Sequence, residues 1–99
     1  MSTELSYVHG ASDKQLIGQT IGRFFDAACA RHAGQDALVV RHQNIRLSYR
    51  ELRLKVDALA CGLRRLGLEP GDRIGIWSQN NYEWALTQFA TAKAGLVLV

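Results

Sequence analysis

Two cysteines, three histidines and nine acidic side chains are the residues of this 99-residue chain that could hold a metal, attack an electrophile or move a proton. Cys29 and Cys61 are too few and too far apart for a zinc site or a disulfide framework. His9, His32 and His42 show no ligand spacing, and His32 continues an apolar helix face. Both cysteines fall in expected helices, so packing thiols and no metal are expected. No two carboxylates stand at a spacing suited to general acid–base work. Glu51 and Glu83 occupy capping positions, and Asp72 belongs to a turn. Ser78 ends a strand, where open α/β sheets place ligands, but it lacks the glycines that flank a nucleophile elbow, so its expected role is capping.

Phosphate chemistry has no obvious seat either. Gly71 and Gly75 flank the start of a strand, while Gly62 and Gly67 lie within and after a helix, so no glycine-rich loop forms. The turn Ser78-Gln79-Asn80-Asn81 carries no glycine, which removes the dinucleotide fingerprint. Arg50, Arg53, Arg64 and Arg65 share the polar side of one helix. Without interleaved aromatics or a reading motif they are read as a solvated face, with no nucleic-acid partner expected.

The elements that must position these residues follow from periodicity and caps. Thr20 is a plausible N-cap, and Ile21, Phe24, Phe25, Ala28 and His32 draw an apolar stripe on a helix running to about Arg31 and ended by Gly34. Ala37 to Arg41 and Ile45 to Leu47 read as a hairpin around Gln43-Asn44. Ser48-Tyr49-Arg50-Glu51 is a capping box that opens a helix with the stripe Leu52, Val56, Leu59, Leu63 and Leu66, closed by Gly67. Glu69-Pro70-Gly71-Asp72 fits a type II turn. A strand is expected from Arg73 to Trp77, then a helix capped by Asn80, with Glu83 closing a second capping box. That helix carries an inner stripe of Tyr82, Ala85, Leu86 and Phe89 and ends at Gly95. Leu96 to Val99 is the next strand, and strand–helix–strand is a βαβ unit with a right-handed crossover.

That order is α/β grammar with an incomplete sheet: a hairpin and a helix, then a βαβ unit with two parallel strands. Parallel strands want both faces covered. Trp84, Leu54 and Cys61 point away from the main stripes, which suggests further protein on those sides. A buried-type strand at Val99 favours a chain cut from something longer. Lys plus Arg number 12 against 9 Asp plus Glu, giving a net charge of +3, and 47% of residues are hydrophobic. One proline and an average charged fraction exclude collagen and acidic disorder. No apolar run approaches the roughly 18 residues of a membrane span. Met1 to Gln19 has no apolar signal core, and it holds Glu4 and Asp13 with no arginine before Arg23. Cytoplasm is the expected compartment.

The blocks themselves resemble a known family. Thr20-Ile21-Gly22-Arg23-Phe24-Phe25-Asp26 and Asp36-Ala37-Leu38-Val39 look like the opening of an AMP-forming acyl-CoA synthetase. Leu47-Ser48-Tyr49-Arg50-Glu51-Leu52 and Ala60-Cys61-Gly62-Leu63 resemble its next block. Gly67-Leu68-Glu69-Pro70-Gly71-Asp72-Arg73-Ile74, Asn80 to Trp84, Ala92-Lys93-Ala94-Gly95 and the last strand continue it in family order. Ser6-Tyr7-Val8-His9-Gly10 and His42-Gln43-Asn44-Ile45-Arg46-Leu47 are similar to the medium-chain fatty acyl-CoA synthetase branch.

Residues 1–19 are mixed and aperiodic and read as a loosely attached leader, and the resemblance implies residues 20–99 as the N-terminal part of a large AMP-binding domain, truncated at Val99. It implies a two-step fatty acid–CoA ligase that uses ATP, Mg²⁺ and coenzyme A to activate a small carboxylic acid. The family's phosphate loop, adenine segment, ribose-binding aspartate and C-terminal lysine have no counterpart here. No catalytic, cofactor-binding or metal residue is therefore expected in this chain, and the chain alone is expected to be inactive and to bind none of these groups. Two other readings stay open: a stand-alone α/β interaction module pairing through its unfinished sheet, and the adenylation domain of a carrier-protein-dependent synthetase. Marginal stability or self-association is expected of the isolated chain.

Overall fold

The computed structural model describes residues 10–99, so Glu4, His9 and the leader residues Ser6 to Val8 lie outside the described residues. Residues 10–19 carry no helix or strand and are exposed. The Thr20 hydroxyl accepts the Arg23 N–H and starts helix α1, Ile21–Arg31. The helix stops at His32, two residues before Gly34. Strands β1, Asp36–Val40, and β2, Ile45–Ser48, form the antiparallel hairpin, joined by one turn of 3₁₀ helix and by Asn44 in the left-handed region at φ 54°. Pairing slips between Asp36 and Leu38, where β1 bulges.

Helix α2, Tyr49–Arg65, opens on the complete capping box: Glu51 N–H donates to the Ser48 hydroxyl, and Ser48 N–H donates to the Glu51 carboxylate. The next two amides of this helix are taken by the α1–β1 loop, with Tyr49 N–H on the Gln35 carbonyl and Arg50 N–H on Ala33. That satisfies donors that every helix start leaves free, and it fixes α2 against the loop. The chain then turns through Pro70 and Gly71 into β3, Arg73–Ile74. Helix α3, Tyr82–Ala94, follows, and β4, Val97–Leu98, pairs parallel with β3. The result is a mixed α/β fold with two separate two-stranded sheets.

Three details correct the expectations. The strand expected to reach Trp77 is assigned only through Ile74, although Ile76 N–H still donates to the Val99 carbonyl at 2.9 Å. Asn81, not Asn80, caps α3, accepting the Trp84 N–H. Glu83 does not close a capping box, because its carboxylate accepts from the Gln43 amide across the fold at 3.0 Å.

The core is where the three helices and β2 meet. Phe25 and Cys29 from α1, Leu47 from β2, Leu52 and Val56 from α2, and Leu86 and Ala90 from α3 are buried. Phe25 and Phe89 stack with centroids 4.4 Å apart. Small residues let α3 come close: Ala90, Thr91 and Ala94 are buried, and a Cβ at Gly22 would sit 3.2 Å from Lys93 Cγ. The buried Thr91 hydroxyl donates to the carbonyls of its own helix, so it costs no orphan donor.

Candidate functional site

Charge gathers at one place, where α1, α2 and α3 converge. Lys93 Nζ donates to Asp26 Oδ1 at 2.6 Å and to the Asp57 carboxylate. Arg53 Nε lies 3.4 Å from Asp26 Oδ1 and 3.9 Å from Asp57 Oδ2, the latter an i,i+4 pair along α2. Only 15% of the Lys93 side chain is exposed, against 32% and 43% for its two carboxylates. Burial alone would lower the Lys93 pKa, but the hydrogen bonds it donates to Asp26 and Asp57, with their negative charge, hold it above the ordinary lysine value. A lysine held protonated is a poor nucleophile and a poor base. Two cations face two anions, so the cluster is a neutral clamp on three helices. The sequence assigned Arg53 to a solvated face; the structure draws it into this clamp.

Cys29 lies within the field of the same cluster. Burial pushes its thiol up, and the flanking charges oppose each other, Arg53 and Lys93 lowering it while Asp26 and Asp57 raise it. It is an inert packing thiol, as its position on α1 implied. Cys61 is not, because its thiol is exposed on the outer side of α2. His32, half-buried at the end of α1, sits 5.9 Å from the Tyr49 ring. Among the described residues no group of three His, Cys, Asp or Glu side chains could hold a metal ion.

A second feature is an apolar groove of about 450 Å³ between the leader, α1 and α3. Ile17, Ile21, Phe24, Phe25, Leu52 and Phe89 line it, with Tyr49 at its edge. Ile21 and Phe24, expected on the inner stripe of α1, are 64% and 45% exposed because they form its rim rather than the core. The groove has no lysine or arginine in its lining, so it lacks a partner for a carboxylate or phosphate.

The turn before α3 holds Ser78, and its role is structural. Its hydroxyl accepts from Asn81 Nδ2 at 2.8 Å, and its carbonyl accepts the Trp84 indole N–H at 3.2 Å. Trp84 is therefore half-buried and tied down, and the freely exposed tryptophan is Trp77. Glu51 is held below the ordinary glutamate value chiefly by the Ser48 backbone N–H, which is the capping box and not a reactive carboxylate.

These elements are those of a known domain. Residues 25–99 match the family described as "AMP-binding enzyme". The chain belongs to the AMP-binding enzyme family. Its similarity to medium-chain acyl-CoA ligase ACSF2, mitochondrial, is 46% identity over 95 residues for the Rattus norvegicus protein, covering 96% of this chain and 15% of that protein. For the Bos taurus protein it is 49% over 94 residues, covering 95% and 15%. Among solved structures, the Klebsiella oxytoca NpsA N-terminal subdomain in complex with 3-hydroxyanthranilyl-AMSN matches at 30% identity and a TM-score of 0.78, covering 92% of this chain and 22% of that one. The chain thus spans about 15% of the length of the curated relatives it matches. Asp26, Arg53, Asp57 and Lys93 of the clamp and the Ser48–Glu51 and Asn81 caps all lie within the matched residues.

Proposed function

We propose that this chain is the N-terminal segment of a fatty acid–CoA ligase (AMP-forming). Such a ligase joins a carboxylate to ATP, releases pyrophosphate, and passes the acyl group of the resulting acyl-adenylate to the thiol of coenzyme A. A carboxylate is a poor electrophile, and a mixed anhydride with AMP supplies the leaving group that thiol attack needs. The observation that carries this reading is the 46% and 49% identity, over nearly the whole chain, to ligases whose printed name is medium-chain acyl-CoA ligase. The same names support a medium-chain fatty acid as the substrate.

ATP, Mg²⁺ and coenzyme A are the groups such an enzyme uses, and the described residues do not fit them. Asp26 and Asp57, the converging carboxylates, are already neutralised by Lys93 and Arg53. The groove has no cation for a phosphate. No step of the reaction is assigned to these residues. Their part is to hold the first elements of the domain in register.

The test has two arms. The 99-residue chain, incubated with octanoate, MgATP and labelled pyrophosphate, is expected to give no ATP–pyrophosphate exchange. A longer polypeptide carrying this segment is expected to give octanoate-dependent exchange and octanoyl-CoA. Exchange by the chain alone, or a longer polypeptide inert toward medium-chain acids, overturns the proposal. A carrier protein as acceptor is the second reading, favoured by the match to NpsA, whose artificial fusion with ThdA is described as an Adenylation-PCP di-domain NRPS. Loading of a carrier in place of coenzyme A would select it. The proposed compartment is the cytoplasm, supported by Glu4 and Asp13 ahead of the first arginine, Arg23. The mammalian relatives are named mitochondrial, and fractionation of cells expressing the full protein decides.

A further inference from the structure

Helix α2 turns one face into the core and leaves the opposite one bare. Leu52 and Val56 are buried on the inner face, with Leu59 and Leu63 half-buried beside them. At about 3.6 residues per turn the outer face is drawn by Glu51, Leu54, Ala58, Cys61, Gly62 and Arg65, and every one of them is exposed. Leu54, Ala58, Cys61 and Arg65 follow at steps of four, three and four, which is the spacing of a seam between two helices. Leu54 projects from this face with 66% of its surface exposed. Gly62 leaves a hole in it, because a Cβ placed there would meet nothing within 4 Å.

These features complement one another when two copies of α2 run antiparallel. With a twofold axis at Ala58, residues equally far from it on either side face each other. Leu54 then sits over Gly62 of the second copy, each four residues from the axis, so the projecting side chain fills the hole. Glu51 meets Arg65 of the second copy, each seven residues from the axis, and the symmetry makes that ion pair twice. Ala58 lies at the crossing, where a small side chain lets two helices approach. A parallel pair would set Glu51 against Glu51 and Arg65 against Arg65, opposing like charges. We propose that the outer face of α2 is a docking surface for a second copy of this chain, through an antiparallel α2–α2 contact. It shares no residue with the groove, the clamp or the β3–β4 pair, and it does not rest on the ligase reading. One helix face is smaller than the roughly 800 Å² per partner of a stable complex, so the contact is weak and exchanging.

Disulfide trapping of the full 99-residue chain tests this. Ala58→Cys in a Cys61→Ser background places thiols at the axis, where two copies come within bridging distance. Cys61 stands three residues from the axis, which separates its two copies by about 9 Å along the helices, beyond the roughly 7 Å between Cα atoms that a disulfide spans. Under mild oxidation at high chain concentration, the Ala58→Cys chain is expected to give covalent dimer at least about tenfold faster than wild type. Sedimentation equilibrium is expected to show a reversible dimer for wild type and a monomer for Ala58→Glu, which sets two carboxylates against each other at the axis. Alanine and glutamate both suit an exposed helix position, so circular dichroism and the urea midpoint of Ala58→Glu are expected to match wild type. Trp77→Lys is expected to leave the dimer unchanged. A wild-type chain that stays monomeric at the highest concentration overturns the proposal. So does Ala58→Glu that dimerises as well as wild type, or cross-linking through Cys61 as fast as through Ala58→Cys. Loss of the dimer with Trp77→Lys overturns it too, since the sheet edge would then be the contact. The pyrophosphate-exchange assay is independent of each of these results.

Discussion

Replacing Lys93 by methionine removes the ammonium and keeps the stem that packs against Gly22 and near Phe25. Each hydrogen bond to a charged partner is worth about 1.5–3 kcal/mol when buried. The two carboxylates are 32% and 43% exposed and recover water, and Arg53 stays within reach of both, so that figure must be cut. The expected loss is about 1–2 kcal/mol for the pair together. With a urea slope of about 1 kcal/mol/M for a chain this size, the midpoint of unfolding falls by about 1 M or more. The comparison variant is Arg46→Met, whose ion pair with Asp36 is 71% and 50% exposed and is expected to cost under about 0.5 kcal/mol. Circular dichroism in urea reads both. Lys93 is held above its ordinary value of 10.5 in the folded chain. Its contribution is therefore fully present below that value and is lost as pH rises through the folded value, so the gap between wild type and Lys93→Met closes at strongly alkaline pH. If Arg46→Met proves as costly as Lys93→Met, or the gap widens with alkaline pH, the clamp is not what ties the helices together.

Further expectations use other residues. Gly95 sits at φ 77° with its missing Cβ 3.3 Å from Pro70 Cβ, so Gly95→Ala should cost about 2–3 kcal/mol in a urea melt. Gly62, inside α2 with nothing within 4 Å, should do the opposite on Gly62→Ala and gain about 0.5–1 kcal/mol. A thiol reagent such as a maleimide should label Cys61 promptly and Cys29 only after denaturation, and equal labelling rates would contradict the burial of Cys29. Ser48→Ala should cost about 1 kcal/mol at neutral pH. Glu51 is held below its ordinary value of 4.5, so its part of the capping box is present above that value and lost as pH falls through the folded one; Glu51→Gln should flatten the acid limb of a pH–stability curve.

What the sequence disclosed was local. The Ser48–Glu51 box, the Gly67 and Gly95 helix ends and the Pro70-Gly71 turn each depend on residues within four positions of one another, the hairpin pairs residues from Val40↔Ile45 out to Asp36↔Ser48, and each stands in the structure. The clamp did not show, because Lys93 lies 67 residues from Asp26 and 36 from Asp57. Its one local trace was the i,i+4 spacing of Arg53 and Asp57. Glu83 carried a capping pattern that a distant amide, Gln43, outcompeted. Asn80 and Asn81 are equivalent as letters, and only Ser78, bonded to Asn81 Nδ2, separates them. The strand after Asp72 was overextended because a strand's length is set by its neighbours, and β3 has one. As for a reactive centre, the family blocks identified the domain, while the residues themselves spelled out caps and packing.

Gln43 has a consequence for the order in which the chain assembles. Its side-chain oxygen accepts the Tyr82 N–H at 2.8 Å while its amide donates to Glu83, so the hairpin turn holds the first turn of α3 from 39 and 40 residues away. The Asn81 cap, the hairpin and α2 close over short loops, the kind of contact that forms early when a chain folds. The Gln43 bridge closes only once hairpin and α3 have met, so Gln43→Ala is expected to give a low φ-value in stopped-flow folding and unfolding measurements. That variant is then expected to speed the release of α3 on unfolding while leaving the folding rate nearly unchanged.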